Sequence, residues 1–350
     1  MTIRRKASAA LLTAVLGLTA ACGGSGGSGG TGRTLTYQGW GGYYQKAQIA
    51  DWLEPWSKKT GNDFVEGSPT DYAKLEAQVK AGKTVWDLVD VAPHYAVRGC
   101  AAGNLEKIDY TVVDKSKLPA NMVSDCGVPI GTLGYLLSYN TEKTGAAKPA
   151  SWADFYDTKK FPGKRAVWRY ATGGQLETAL LADGVPADGL YPLDVDRALK
   201  KLSSIRDDVV FFDTGDQMLQ LLSSGEVSMA IGWHSEILKA QQEDEPLAVD
   251  WNQHLVTWDD YVIPKGSKNK DLAMDLINYA LGAQQQADVT NGSYYGPVNP
   301  DADALVKPEL AHGLPSSPEN KDKGIPVDNT WWAENYAKTS ATWTSWVTGS

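Results

Sequence analysis

The sequence predicts an α/β protein with two domains. Along most of the chain, segments with the apolar period of a strand alternate with segments that have the period of a helix, which is typical of sheets covered by helices. A domain usually has about 100–200 residues, so a chain of 350 residues predicts two. The 13 Trp and 16 Tyr residues supply ample surface for a buried core, which excludes a disordered chain.

The first part of the chain alternates short strands with amphipathic helices. Ile49, Leu53 and Trp56 lie at helical spacing, and Gly61 ends that helix. In chain order we predict a strand at 34–40, a helix at 45–59, a strand at 63–65, a helix at 70–81, a strand at 87–91 that is stopped by Pro93, and a long extended segment at 127–139.

A second series of elements follows with the same alternation. We predict a strand at 165–170, helices at 175–182 and 193–205, a strand at 209–212, a helix at 217–223, strands at 227–232 and 261–264, and a helix at 271–281. Asn269 is the expected N-terminal signal of the last helix. This order predicts mostly parallel sheets with helices on both faces.

The N-terminus has the pattern of a secretory signal peptide. Three basic residues at 4–6 precede an apolar segment at 9–18, which is too short to span a bilayer stably. Cys22 follows small residues, as at a lipoprotein processing site, so we expect residues 1–21 to be removed and Cys22 to carry a lipid. A plain signal peptide cut nearby is the alternative. Residues 22–33 then form a lipidated cysteine with a flexible Gly/Ser tether.

Two further cysteines, Cys100 and Cys126, remain in the predicted mature chain. An exported protein lies in an oxidising compartment, so an even pair predicts one structural disulfide. Neither cysteine has a CxxC partner or a neighbouring histidine, and we therefore expect neither metal binding nor thiol catalysis from them.

Charge and motifs exclude several classes of function. A formal net charge of -9 disfavours a nucleic-acid-binding protein, which needs a basic surface. The sequence has no GxSxG, HExxH, Walker A or GxGxxG motif, and its four histidines lie far apart. We therefore predict no enzyme activity, no cofactor and no metal site.

Aromatic and acidic residues follow several of the predicted strands. Trp40 and Tyr44 flank the end of the first strand, Trp233 follows the strand at 227–232, and Asp259 and Tyr295 come after later elements. Ligands of α/β sheets bind at the carboxyl ends of strands. Rings with one or two carboxylates at that edge suit an organic cation.

Five segments occur in an order that a known family shares. They are GWGGYYQKAQIADWLEPWSKKTG (39–61), SWADFYDTKKFPGKRAV (151–167), GEVSMAIGW (225–233), WDDYVIPKGSKNKDLAMDLINYAL (258–281) and YYGPVN (294–299). In this order they resemble the spermidine/putrescine-binding family of solute-binding proteins of ABC importers. The resemblance implies a two-lobed periplasmic-binding-protein fold (type II) with crossover hinge strands and the ligand cleft between the lobes. Lobe one is then 34–138 with 259–322, and lobe two is 139–258 with 323–350, which includes a C-terminal helix.

The resemblance also implies a set of ligand-binding residues. Asp259, four residues before Ile263, matches the carboxylate that receives a ligand amine, and His94 lies where the family has an aromatic residue. The implied binding residues are Trp40, Tyr43, Tyr44, His94, Trp233, Asp259 and Tyr295.

One departure from the family leaves the solute open. Polyamine binders of the family carry a second acidic pair at the start of a lobe-two helix, whereas this chain has Ala-Thr-Gly-Gly at 171–174. A long dication would then leave one ammonium poorly paired unless Glu177, one turn later, replaces the missing acids. Arg169, just before this segment, could instead bind a carboxylate or phosphonate with two hydrogen bonds.

We therefore predict an extracytoplasmic solute-binding receptor of an ABC importer, which binds a polyamine such as putrescine or spermidine. A receptor for an aminoalkyl acid or aminophosphonate is the alternative within the same fold, and a sugar receptor is a further one, because cages of Trp and Asp also suit sugars. A surface hydrolase or a periplasmic sensor subunit is the less favoured alternative. The expected partners are the permease and ATPase subunits and, through the lipid anchor, the membrane. We expect a monomer that binds no nucleic acid.

Overall fold

A computed structural model describes residues 32–349 of the chain. The predicted signal peptide, the lipidation site at Cys22 and most of the tether lie outside the described residues. The described part contains nine strands: β1 (Thr34–Gln38), β2 (Asp63–Gly67), β3 (Leu88–Val91), β4 (Gly127–Asn140), β5 (Lys164–Trp168), β6 (Val209–Phe212), β7 (Val227–Trp233), β8 (Leu247–Val262) and β9 (Ile325–Pro326).

Fourteen α-helices occur in the same range. They are α1 (Gly42–Gln48), α2 (Glu54–Thr60), α3 (Tyr72–Lys80), α4 (Pro93–Ala101), α5 (Thr141–Thr144), α6 (Trp152–Tyr156), α7 (Gln175–Ala182), α8 (Val195–Ser203), α9 (Gly215–Ser223), α10 (His234–Gln242), α11 (Lys270–Ala280), α12 (Ala283–Ser293), α13 (Pro308–Ala311) and α14 (Asn329–Thr348). A π-helical turn at Ile49–Leu53 joins α1 to α2. None of the helices in the described range is long and apolar enough to cross a membrane.

All strands belong to one sheet, with the order β2-β1-β3-β8-β4-β7-β5-β6, and β9 pairs with β8. The three strands at one end, β2-β1-β3, are parallel to one another, and so are the three at the other end, β7-β5-β6. We call these the first half and the second half. Between them run the long antiparallel strands β4 and β8, which pair from Gly127↔Val262 to Asn140↔Leu247. Two long strands therefore connect the halves, as expected of crossover strands.

The predicted α/β class is confirmed, but several elements differ from the prediction. Pro93 does not only stop a strand: it opens α4, because proline fits the first turn of a helix, whose N–H groups have no partner in the helix. Strand β8 begins at Leu247 instead of 261, and its early part is irregular, with Gln253 at φ 53° and a register shift opposite Tyr135. The helix α12 was not predicted. The centre of the sheet is antiparallel and not parallel.

Two buried indoles fix the helical segment 42–60 that follows β1. Trp52 donates its indole N–H to the carbonyl oxygen of Gln285 at 2.7 Å, and Trp56 donates to the carboxylate of Asp275 at 2.7 Å. Both rings are at most 1% exposed, so each buried N–H needs such a partner. These bonds attach the segment to α11 and α12 and hold the start of α1 beside the sheet.

Cys100 at the end of α4 and Cys126 just before β4 form a disulfide. It closes a loop with a sequence separation of 26 residues. A loop of that size gives about 3 kcal/mol of stabilisation in the chain-entropy model. The bond lies in the first half and attaches a long, partly exposed connection to the sheet.

The C-terminal helix α14 contacts both halves. Trp332 donates its indole N–H to Glu177 of α7 at 2.7 Å, and Trp343 donates to a backbone carbonyl in the loop after β5, also at 2.7 Å. Between these anchors, the ring of Tyr336 stacks on His94 of α4, with the ring centroids 5.1 Å apart. The helix therefore crosses from one half of the molecule to the other.

Candidate functional site

A cavity of about 50 Å³ lies where the parallel strands of both halves end. Trp40 follows β1, Ala92 follows β3, Trp168 ends β5, Asp213 follows β6 and Trp233 ends β7, and all five line the cavity. The carboxyl ends of strands from both halves therefore converge on one space, which is the usual place for a ligand in α/β folds. One water needs roughly 10–15 Å³, so the cavity has room for a small solute.

The remaining wall comes from the crossover strands and from elements of the first half. Tyr135 lies in the middle of β4 and Asp259 in β8, while Tyr44 comes from α1 and Tyr295 from the loop after α12. The rings of Tyr44 and Tyr295 are stacked, with centroids 3.4 Å apart and planes at 5°. This pair forms a flat aromatic wall against which an aliphatic chain can pack.

Three indoles from both halves form the opposite wall. Trp40 meets Trp168 edge to face with centroids 6.0 Å apart, and Trp168 meets Trp233 in the same way at 5.4 Å. Trp40 belongs to the first half and the other two to the second half. The aromatic wall therefore requires the two halves to lie together as they do in this structure.

Asp259, in the crossover strand β8, is a buried acid that lines the cavity, with 6% of its surface exposed. Burial raises the pKa of its carboxyl well above the ordinary value, the charges of Asp90 and Asp260 raise it further, and a hydrogen bond with Tyr295 lowers it. Asp90, in β3, is itself fully buried, and burial raises its pKa to about 7 although Gln48 donates to it at 3.0 Å. Three carboxyls thus lie close together without a cation.

Glu236 is a second buried acid of the cavity, in the first turn of α10. Its Oε1 accepts a hydrogen bond from the backbone N–H of Tyr43 at 3.1 Å, and its Oε2 is buried without a hydrogen-bond partner among the described residues. Burial raises its pKa to about 7, in spite of that hydrogen bond. A Cβ atom on Gly42 would lie 2.5 Å from Oε1, and one on Gly215 would lie 3.1 Å from Cδ, so glycines are needed on both sides.

The charged side chains of the lining are all acidic. Within residues 32–349, neither Lys nor Arg lines this cavity, and its acids are Asp213, Glu236 and Asp259. Asp213 is neutralised by Arg169, but the other two have no basic partner in the described part of the chain. A buried carboxylate is costly without a counter-charge, so a positively charged group placed in the cavity would supply the partner that these two acids lack. No group of side chains in this range could hold a metal ion.

Five of the residues expected from the sequence line the cavity together: Trp40, Tyr44, Trp233, Asp259 and Tyr295. Two others lie outside the lining with other partners. The hydroxyl of Tyr43 donates to Glu243 at 2.7 Å, and Arg169 forms an ion pair with Asp213 at 2.7 Å. Arg169 is half-exposed and turned to this partner, so its guanidinium does not line the cavity as the sequence suggested.

His94 and Glu177 also lie outside the lining. Burial lowers the pKa of His94 to about 3, and its ring stacks on Tyr336. Glu177 accepts hydrogen bonds from the hydroxyl of Tyr191 at 2.8 Å and from the indole of Trp332 at 2.7 Å. Both residues thus hold the C-terminal helix in place and do not face the cavity.

Sequence reasoning missed Glu236, Trp168 and Tyr135 of the lining. Glu236 follows Trp233 by three residues, so the rule that placed the tryptophan at a strand end could have found the acid in the first turn of the next helix. Trp168 lies within the predicted strand 165–170 and ends the observed strand β5. Tyr135 carries no such signal, because it lies in the middle of a long strand and reaches the cavity only through the antiparallel pairing with β8.

Comparisons with known proteins agree with this geometry. A family model of bacterial extracellular solute-binding proteins matches residues 31–316. A gamma-aminobutyric acid-binding protein of Pseudomonas aeruginosa is 32% identical over 322 residues, which cover 90% of this chain and 91% of that protein. A spermidine/putrescine-binding periplasmic protein of Salmonella typhimurium is 26% identical over 280 residues, covering 74% and 77%.

A solved structure of a GABA receptor is 39% identical and superposes with a TM-score of 0.82, covering 89% of this chain and 97% of that one. The expected periplasmic-binding-protein fold is thereby confirmed, and so is the expectation of a binding protein and not an enzyme. The resemblance to polyamine receptors is confirmed only as membership of the wider family. The chain belongs to the bacterial extracellular solute-binding proteins.

Proposed function

We propose that this protein is the extracytoplasmic receptor of an ABC importer and that it captures a short solute with a protonated amino group. The observation that carries the proposal is the pair of buried acids, Asp259 and Glu236, in an aromatic cavity without a basic lining residue. The permease and ATPase of the importer are the proposed partners. A lipid on Cys22 and a monomeric state complete the proposal.

The amino group would bind Asp259, between the stacked rings of Tyr44 and Tyr295 and the indoles of the opposite wall. A hydrogen bond between two charged groups contributes about 1.5–3 kcal/mol, and each ring that faces a cation about 0.5–2 kcal/mol. A dissociation constant near 1 µM requires about 8 kcal/mol. One carboxylate with two or three rings supplies about 2.5–9 kcal/mol in total, so micromolar binding requires each of these contacts to lie near the upper end of its range.

An ω-amino acid, with its amino and carboxyl groups separated by a few methylenes, is the solute class that we favour. Two of the relatives with at least 30% identity, at 32% and 39%, carry gamma-aminobutyric acid or GABA in their names, and a third at 32% is a structure in complex with agropinic acid, whereas the polyamine-binding relative is 26% identical. The solute's carboxylate would lie near Thr172 and the start of α9 at Thr214–Gly215, which offers backbone N–H groups. Glu236 lies beside this helix start, and with a pKa of about 7 it can be neutral when that carboxylate binds.

A short diamine such as putrescine is the second candidate, and Glu236 is the observation that favours it. Its unpartnered Oε2 is buried at the cavity, where an ionised carboxylate could pair with a second ammonium group. The two candidates therefore differ in the charge that they require of Glu236. The acidic pair that is absent from 171–174 would be replaced by this residue and not by Glu177.

The test is isothermal titration calorimetry of the purified protein with gamma-aminobutyrate, putrescine, 2-aminoethylphosphonate and two one-ended controls, butylamine and butyrate. We expect binding of an amine-bearing two-ended solute and none of butyrate. The variant Glu236→Gln keeps the size and shape of the side chain and removes its negative charge. It should therefore strengthen binding of the amino acid and weaken that of the diamine. Binding of butyrate, or of none of the amines, would contradict the proposal.

A further inference from the structure

We propose that a second subsite for an organic cation adjoins the cavity and receives the far end of an elongated amine; this inference rests on the proposed function. The subsite is a cavity of about 210 Å³, which we call the side chamber. Its main lining residues are Trp40, Asp71, Tyr72, Trp168, Tyr170 and Tyr336.

Five rings of the side chamber form one continuous series of contacts. From Tyr170 to Trp168 the centroids are 5.1 Å apart, from Trp168 to Trp40 6.0 Å, from Trp40 to Tyr72 5.8 Å, and from Tyr72 to Tyr336 6.3 Å. The first half, the second half and α14 all contribute rings. A group bound in the chamber would therefore contact all three parts and favour the arrangement seen here.

The side chamber adjoins the first cavity. Trp40, Trp168 and Thr172 line both spaces, so the two are separated only by these side chains. A solute whose amine is bound at Asp259 would reach the chamber past Thr172. The chamber, with about 210 Å³, has room for a substituted ammonium group.

The chemistry of the chamber suits a cation. Faces of Trp and Tyr rings attract an organic ammonium, and no Lys or Arg of the described range lines the space. Asp71 adds a carboxylate: its Oδ1 caps α3 by accepting from the backbone N–H of Lys74 at 3.0 Å, and no ion pair holds it within the described residues. Arg98 contacts the ring of Tyr336 at 4.3 Å, but its charge is paired with Glu76 at 3.0 Å.

The ring of Tyr336 is held in position before any solute binds. Its stacking on His94, at 5.1 Å and 22°, fixes the ring, and the indole bond from Trp332 to Glu177 fixes the preceding turn of α14. A preformed ring costs little ordering on binding, which raises affinity. The exposed Tyr170, at the far end of the ring series, is the position where a solute can enter.

The test compares two matched solutes by calorimetry on the purified full chain. Both carry a primary amine on a chain of about six methylenes; one ends in a trimethylammonium group and the other in the neutral, equally large tert-butyl group. We expect the cation to bind at least roughly tenfold more tightly than its neutral twin. Equal binding of the twins would overturn the proposal.

Variants of the chamber give the second arm. Tyr336→Leu and Asp71→Asn should each lower the preference for the cation severalfold while the affinity for butylamine stays unchanged. Asp71 is on the surface, so its variant keeps the test valid even where Tyr336→Leu unfolds the protein. A preference that survives in Asp71→Asn and in Tyr170→Leu overturns the assignment. If none of the amine-bearing solutes binds the wild type, the proposed function has failed; if they bind and the twins do not differ, only this inference has.

Discussion

Replacement of Asp259 by asparagine is the sharpest test of the site. The change keeps the shape of the side chain and removes one negative charge from the cavity. Asp259 is 6% exposed and lies near the charges of Asp90 and Asp260, so in the unliganded protein its ionised form is unfavourable. The same charge becomes favourable once an ammonium group binds beside it. The substitution should therefore change affinity and stability in opposite directions.

The expected magnitude follows from these contacts. Loss of one charged hydrogen bond costs about 1.5–3 kcal/mol of binding free energy, which corresponds to a roughly 10- to 150-fold weaker affinity. The unliganded protein should be as stable as the wild type or more so, because the repulsion from Asp90 and Asp260 disappears. Affinity is measured by calorimetry at about pH 8, where the carboxyls near pKa 7 are mostly ionised, and stability by thermal unfolding without solute.

Asp260→Asn is the matched control. Asp260 is the next residue in β8, is equally buried, and accepts a hydrogen bond from the indole of Trp258 at 3.1 Å, but it does not line the cavity. Successive side chains of a strand lie on opposite faces, so the control removes a buried charge without removing a solute contact. We expect its affinity to stay within about threefold of the wild type. An unchanged affinity in Asp259→Asn, or an equal loss in both variants, would refute the reasoning.

Three further predictions concern neighbouring residues. Burial raises the pKa of Glu236 to about 7, so the folded state binds its proton more tightly than the unfolded chain; this contribution to stability is complete below about pH 4.5 and is lost as the pH rises through 7. Between about pH 6.5 and 8.5 the melting temperature of the wild type without solute should thus fall relative to that of Glu236→Gln; the comparison cancels the buried histidines, which titrate near pH 6.5 when unfolded. Gly42→Ala should cost about 1–2 kcal/mol of stability, measured by denaturant unfolding, because its φ is 69°. It should also weaken solute binding, measured by calorimetry, because its Cβ would lie 2.5 Å from Glu236. The control Gly61→Ala has φ 74° with open space around it and should lose stability without losing affinity. Arg169→Gln should leave the affinity for gamma-aminobutyrate within about threefold, since the guanidinium does not line the cavity and pairs with Asp213; a loss of more than tenfold would return the anion site to Arg169.

The residues at strand ends were the part of the site that the sequence could predict. Trp40 and Trp233 follow parallel strands, and the carboxyl ends of such strands converge whatever the details of packing. Asp259 was placed by its position in a motif that resembles a known family. These three residues, with Tyr44 and Tyr295, do line one cavity.

The errors came from side chains whose direction depends on tertiary partners. The sequence shows that Arg169 lies near a helix start, but not that Asp213 ends the neighbouring strand beside it at 2.7 Å. In the same way, Glu177 was the expected replacement for the missing acidic pair. It instead accepts a hydrogen bond from Trp332, which lies 155 positions further along the chain. The early part of the long strand β8 was not predicted, because it is partly exposed and irregular at Gln253.

The indoles that line the cavity have a spectroscopic consequence. Trp40 belongs to one half and Trp168 to the other, and their ring centroids are 6.0 Å apart, while Trp168 and Trp233 are separated by 5.4 Å within one half. Indoles at such distances couple electronically, so the first pair contributes to the near-ultraviolet circular dichroism only while the halves are together. The deeply buried Trp52 and Trp56 lie within the first half and contribute a constant background. A change in the distance between the two halves would thus be visible optically without any attached label.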